Sequence, residues 1–158
     1  MEPQLREGDR VVVSRTSYRL HDVHRGDVIV FPSPAVPAER EGLVMRLAHD
    51  VLESVAVRDP GDRELIKRVI GLPGETVEGR DGRVRIDGRR LIEPYLDADV
   101  VTSDFGPVEI PEGHVFVMGD NRTNSHDSRF SDIGTIDIDT IVGRAIARVW
   151  PPARTAFL

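Results

Sequence analysis

The sequence predicts a mainly β protein. Three observations carry that expectation. Short β-branched runs, bounded by Gly, Asp and Pro, recur along the chain. Asp-Gly pairs stand between runs of alternating polarity. Only one stretch has clear helical spacing.

"DRVVVSR" (9–15) and "GDVIVF" (26–31) read as the first two strands. "PSPAVPAER" (32–40) is Pro-rich and reads as a loop. In "EGLVMRLAHDVLESV" (41–55), Leu43, Val44, Leu47, Val51 and Val55 recur at helical spacing, which predicts one amphipathic helix. "RDPGDR" (58–63) is a turn, and "ELIKRVIGL" (64–72) is a strand closed by Pro-Gly-Glu. Within 76–96, "RDGR" and "IDGR" predict a hairpin or meander. "GPVEIPEGHVFVMGD" (106–120) predicts a strand pair. "IDIDT" (136–140) places two acids with period two on one strand face toward solvent. "GRAIARVWP" (143–151) alternates and ends in Pro-Pro, as a last strand would. "RRLIEPYL" (89–96) could form an exposed edge, and nothing in it suggests chemistry.

Composition narrows the function. The chain has 158 residues, enough for one domain with a core. Its net charge is −6 and its arginines are interleaved with acids, which argues against a nucleic-acid partner. It has no cysteine, so thiol catalysis, disulfides and cysteine-bound metal are excluded. No metal or other cofactor is expected. No stretch approaches the ~18 apolar residues of a membrane helix. The features of a secretory signal are missing as well. As written, the chain is expected to be soluble, and its abrupt entry into ordered sequence suggests a truncated start.

One residue stands out. Lys67 is the only lysine, against twenty arginines. Arginine stays protonated in proteins, whereas a buried lysine can be driven to its neutral form and act as a base. Compositional drift toward arginine is the alternative explanation. The densest polar stretch is "GDNRTNSHDSR" (119–129). Ser125, His126 and Asp127 are adjacent, so their side chains alternate in direction and cannot converge as a triad. The spacing of Asp120, Asn121, Asn124, His126 and Asp127 fits neither a calcium loop nor a zinc site. A turn network with Asp127 paired to Arg129 accounts for most of these residues and leaves Ser125 free to do more.

Four stretches, in order, resemble the signatures of type I signal peptidases, the leader peptidases of serine protease family S26. They are "MEPQLREGDRVVVSR" (1–15), "RGDVIVF" (25–31), "KRVIGLPGE" (67–75) and "GDNRTNSHDSR" (119–129). The resemblance covers nearly the whole chain except 32–62. It implies an antiparallel β-sheet catalytic core from 1–75 with 117–158, a loop-and-helix insert at 32–62, and a smaller β subdomain at 76–116. It implies a Ser/Lys dyad in which Lys67 is general base and Ser125 orients its amine, with Asp127 and Arg129 bracing the loop. Leu65 and Val69 share the strand face of Lys67, Ile66 and Ile70 flank it, and Arg68 adds a like charge, all of which favour a neutral amine. The implied substrates are secretory preproteins with small residues at −1 and −3. Met1, Leu5 and Ile66 would line the −1 pocket, and Val11, Val30 and Ile66 the −3 pocket. The strand Glu64, Leu65, Ile66 would pair with the extended substrate.

The departures from the family pattern matter too. The nucleophilic serine of the family stands immediately before the position of Met1, and a hydroxyl donor to the oxyanion hole stands further upstream. Gln4 replaces the usual Thr and Glu75 the usual Asp. Ser14, Thr16 and Ser17 are the nearest hydroxyls and are not expected to reach Lys67. The chain is therefore expected to be inactive as given, the extracytoplasmic remainder of a protein anchored in a bacterial cell membrane by N-terminal helices. The rival readings are a non-catalytic peptide-binding module, a Ser/Lys protease that matures one dedicated precursor, and a self-cleaving repressor-type protease.

Overall fold

The computed structural model describes residues 1, 4–6, 8–15, 22–33, 55–58 and 64–158, with 55–58 described by their backbone. The first two β-branched runs form β1 (Arg10–Ser14) and β2 (Val28–Pro32). Then come β3 (Val55–Arg58) and β4 (Glu64–Gly71). The alternating region forms β5 (Thr76–Arg80), β6 (Arg83–Ile86) and β7 (Arg89–Arg90). Asp81 and Gly82, and likewise Asp87 and Gly88, all have positive φ. That is the geometry two-residue hairpins require and Asp-Gly tolerates. β8 (Phe105–Glu109) and β9 (His114–Met118) make the expected pair of strands, followed by β10 (Ile136–Asp137), β11 (Gly143–Trp150) and β12 (Ala156–Phe157).

The strands form two antiparallel sheets. The larger runs β10-β9-β4-β2-β11-β1-β3, with β12 added beside β11, and the smaller runs β7-β6-β5-β8. Three apolar clusters follow from strand alternation. Ile29, Phe31, Val69, Val115 and Val117 lie in one cluster with Ile133 and Ile136. Val28 and Val30, of opposite parity on β2, join Leu5, Val11, Val13 and Ala145. Phe116 and Met118, of opposite parity on β9, join Ile70, Val77, Val84, Ile86 and Ile110. That last cluster holds the small sheet against the large one. Phe105 of β8 stacks on Phe116 of β9 with ring centroids 5.5 Å apart.

Two expectations need correction, and others fall outside the described residues. The helix expected over 41–55 lies on residues outside the described set except for Val55, which opens β3 instead of closing a helix. Val55–Arg58 pairs in register with Ser14–Val11, so β-pairing overrides the local helical spacing. Residues 34–40 of the expected loop and 59–63 of the expected turn also lie outside the described set. The "IDIDT" stretch is strand only at Ile136–Asp137 and then turns as a 3-10 helix over Ile138–Thr140. Asp137 causes the change by capping the Asp139 N–H at 2.9 Å. No helix among the described residues is long and apolar enough to cross a membrane.

Gly143 sits where β11 passes between β2 and β1. A Cβ there would lie 2.6 Å from the Ser14 carbonyl oxygen and 2.8 Å from a Val13 methyl. Backbone cannot retreat as a side chain can, so Gly143→Ala is expected to destabilise by about 1–3 kcal/mol. Urea denaturation should show a lower midpoint at an unchanged slope.

Candidate active site

Lys67 leaves β4 on the same face as Leu65 and Val69, because side chains two apart share a face. On that face Val69 is fully buried and Leu65 packs beside it. β9, the neighbour of β4, ends at Met118, and the chain leaves the sheet at Gly119. Asn121 then closes a tight turn, its side-chain oxygen accepting from the Asn124 N–H at 3.2 Å. That turn brings Ser125 back over Gly119. Lys67 Nζ donates to Ser125 Oγ at 3.1 Å.

Gly119 is what makes this approach possible. A Cβ on it would stand 2.1 Å from Ser125 Oγ, 2.6 Å from Ser125 Cβ and 3.7 Å from Lys67 Nζ. Both of its peptide groups are held. Its N–H donates to Asp127 Oδ2 at 2.9 Å, and its carbonyl accepts from Arg122 Nε at 3.1 Å. Asp127 in turn holds Arg129 in a two-point ion pair, with Nε to Oδ1 at 2.8 Å and Nη2 to Oδ2 at 3.0 Å. Arg129 also donates to the carbonyl oxygens of Arg122 and Ser125, at 2.8 and 3.3 Å.

The electrostatics favour a base. Burial pushes the Lys67 amine below the ordinary lysine value; the Asp127 carboxylate pulls it back up, the Arg129 guanidinium pushes it down again, and Asp120 opposes more weakly. Burial alone would raise the Asp127 carboxyl. The Arg129 hydrogen bond, the Gly119 N–H, the Arg129 charge and the Ser125 hydroxyl outweigh it, so Asp127 is held below the usual carboxylate range.

The expected pocket residues come together. Leu5, Val11 and Val30 share one buried cluster, and Met1 and Ile66 pack against it. Glu64, Leu65 and Ile66 pair with Pro32, Phe31 and Val30 on the β2 side. β9 joins the other side of β4 only from Arg68 onward. The β4 flank beside Leu65 and Ile66 therefore has no strand partner there among the described residues. Leu65 itself faces the cluster of Ile29 and Phe31, the opposite face from Ile66. Ser14 lies on β1, three strand steps from β4. At ~4.8 Å per step its backbone is about 14 Å away. Thr16 and Ser17 lie outside the described residues. Ser125, His126 and Asp127 do not converge as a triad: Ser125 accepts from Lys67 and also interacts with Asp127, while His126 turns away from both. His126 Nε2 contacts Asp132 Oδ2 at 2.7 Å, and its ring lies against Phe130.

The sequence reading of Arg68 needs correction. It does not act as a like charge on Lys67, because its parity turns it to the opposite face. There it forms a two-point pair with buried Asp120, both bonds 2.9 Å, and also donates to the Gly26 carbonyl and Gln4 Oε1. Its guanidinium carbon lies 4.1 Å from the centre of the Tyr95 ring. The like charge near Lys67 is Arg129. Gln4 and Glu75, the two departures in the signatures, both have defined contacts. Gln4 receives Arg68, and Glu75 accepts from the Leu72 N–H at 2.7 Å and pairs with Arg25 at 2.5 Å. Sequence alone also left Gly119, Arg122, Glu93 and Tyr95 without roles. The Glu-Pro-Tyr run after two arginines was the available signal.

Known proteins supply an independent comparison. The family model described as signal peptidase, peptidase S26, matches residues 1–150. The chain is 35% identical to a protein named probable signal peptidase I from Mycobacterium leprae, over 98% of this chain and 66% of that one. It is 37% identical to a signal peptidase I of Mycobacterium tuberculosis, over 98% and 63%. The chain thus spans just under two thirds of the length of these relatives. A crystal structure of a signal peptidase I from Enterococcus faecalis V583 superposes with a TM-score of 0.55 at 31% identity, over 78% of this chain and 97% of that one.

The lone lysine makes the electrostatics measurable. Lysine labelled with 13Cε and 15Nζ gives one side-chain signal, and its titration midpoint is expected below the ordinary lysine value. Arg129→Gln removes a like charge and frees Asp127, so the midpoint should rise. Asp127→Asn does the reverse and should lower it. A normal midpoint in the unmodified protein would contradict the buried-amine account. Gly119→Ala is expected to drive Ser125 off Lys67 and to cost about 1–3 kcal/mol of stability.

Proposed function

Because the chain belongs to the signal peptidase family of peptidase S26, we propose that it supplies the base and the substrate cleft of a serine endopeptidase that removes N-terminal signal peptides from secretory preproteins. The observation that carries this reading is Lys67. The chain's one lysine points at a serine hydroxyl 3.1 Å away, with its amine pushed toward neutrality by burial. Neutral, it can accept a proton from an alcohol, which arginine at the same site could not.

The reaction follows from that base. In the full-length protein the nucleophilic hydroxyl is carried by the residue immediately preceding Met1. Met1 and Ile66 pack against the same cluster, on the face of β4 opposite Lys67, so that residue would meet the amine by passing round the open flank of β4. Lys67 takes the hydroxyl proton as the oxygen adds to the scissile carbonyl, then returns it to the departing amine. The acyl-enzyme is released by a water activated in the same way. Ser125 holds the amine in position throughout. The substrate lies along the unpartnered flank of β4 and adds as a strand. Small residues at −1 and −3 fill the shallow apolar surface made by Met1, Leu5, Val11, Val30 and Ile66. The parent protein is anchored in a bacterial cell membrane by a segment N-terminal to Met1, with these sheets on the extracytoplasmic side. The core-and-subdomain division of the chain, 1–75 with 117–158 against 76–116, belongs to the same proposal.

The pH dependence has a definite sign. Only the neutral amine accepts the proton, so kcat/KM should rise with pH through the depressed Lys67 value. Lys67→Arg in the full-length protein is expected to lower kcat on an Ala-x-Ala preprotein peptide by about 10²–10⁴-fold with peptide binding kept. Residues 1–158 alone should bind that peptide without cleaving it, and one serine added before Met1 should restore cleavage. Turnover by residues 1–158 that disappears in Lys67→Ala would point to a different nucleophile and overturn this assignment. Binding with no rescue by the added serine would favour the non-catalytic module.

A further inference from the structure

Arg122 is a charged side chain with no exposure, and its main partner is Glu93, whose side chain is 9% exposed. Glu93 belongs to the segment joining β7 to β8 of the small sheet. Arg122 belongs to the turn that carries Ser125. The guanidinium donates Nη1 to Glu93 Oε2 at 3.1 Å and Nη2 to Glu93 Oε1. Nη1 also donates to Thr102 Oγ1 at 3.1 Å, and Nε to the Gly119 carbonyl at 3.1 Å. Arg122 therefore carries a fixed fork from the small sheet to the residue on which Ser125 rests.

A buried ion pair is a weak source of stability, since its desolvation cost offsets most of the attraction. What a two-point Arg–carboxylate pair supplies is direction. Here the direction is delivered to Gly119, whose missing Cβ leaves room for Ser125. Glu93 is itself held. Tyr95 Oη donates to Glu93 Oε1 at 2.8 Å. Burial, reinforced by the Glu93 charge, pushes the Tyr95 phenol well above its ordinary value, so it stays a donor. The Tyr95 ring lies under Arg68, which fixes Asp120 next to Gly119. Both peptide neighbours of the Lys67–Ser125 contact are thus tied to the Glu93–Tyr95 segment.

We propose that Glu93 is a positioning residue for the Lys67–Ser125 pair, acting through Arg122 on Gly119, so that the small sheet sets the geometry of the base. Its catalytic consequence rests on Lys67 being the base; its structural content does not. Loosening the clamp lets Gly119 move, separates Ser125 from Lys67 and admits water to the amine. Less desolvation means a higher Lys67 midpoint.

The test uses the lone-lysine signal and, in the full-length protein, the acid limb of kcat/KM. Glu93→Gln is expected to raise the Lys67 midpoint by about one pH unit and to move the acid limb by the same amount. Tyr95→Phe keeps the ring under Arg68 and removes one bond to Glu93; Thr102→Val removes one bond to Arg122. Each should give a smaller shift of the same sign. A drop in Tm with midpoint and acid limb unchanged would reduce Glu93 to a stabilising residue and overturn the proposal. If Glu93→Gln fails to fold, the two milder variants decide: a shift in either supports the clamp, and no shift in both overturns it. A full-length protein that cleaves no preprotein peptide would refute the protease assignment, while the lysine midpoints still judge the clamp.

Discussion

The site depends on keeping one amine out of water while leaving it a hydroxyl to bond. Desolvation of a lysine is costly, and the protein does not offset that cost with a carboxylate aimed at the amine. It aims the carboxylate of Asp127 at the Gly119 N–H and at Arg129 instead. Had Asp127 paired directly with Lys67, the amine would stay charged and could not accept a proton. Satisfying Asp127 elsewhere lets the aspartate brace the loop while Arg129 cancels much of its field at the lysine. The hydroxyl of Ser125 supplies a neutral partner, which orients nitrogen without charging it.

Three levels of structure meet at that point. β4 supplies parity, which separates Lys67 from Arg68 and sends each to a different network. The end of β9 at Met118 frees one flank of β4 and starts the turn that returns Ser125. The small sheet then buries Phe105 and Tyr95 against the large one, so the turn is packed from behind. A change at any of these levels reaches the same 3.1 Å contact.

How much could be read in advance depends on whether the signal is local. The Asp81-Gly82 and Asp87-Gly88 turns were legible because positive φ is a property of one or two residues. The strands of β1, β2, β4 and β9 were legible because alternation and β-branching are carried within each segment. Lys67 was legible because it is alone among arginines, and the resemblance to known signatures linked it to Ser125. β3 was not legible: Val55 continues a helical spacing, and only its pairing with Ser14 makes it a strand. Arg68 was misread for a related reason. Its nearest neighbour in sequence is Lys67, but its partner Asp120 is 52 residues away. The Glu93–Arg122 pair spans 29 residues, and neither residue carries a local mark of the other.

The segment that begins at Met1 is fastened from the far end of the chain. Arg154 holds Asp9 across 145 residues, and Arg148 holds the Gln4 carbonyl across 144. These contacts cannot form until residues 148–154 have left the ribosome. During synthesis Lys67 and the strands from β2 to β9 have already been made while the opening segment is still unfastened. A nascent copy therefore lacks these fastenings, and the opening segment is seated only once residues 148–154 have been made.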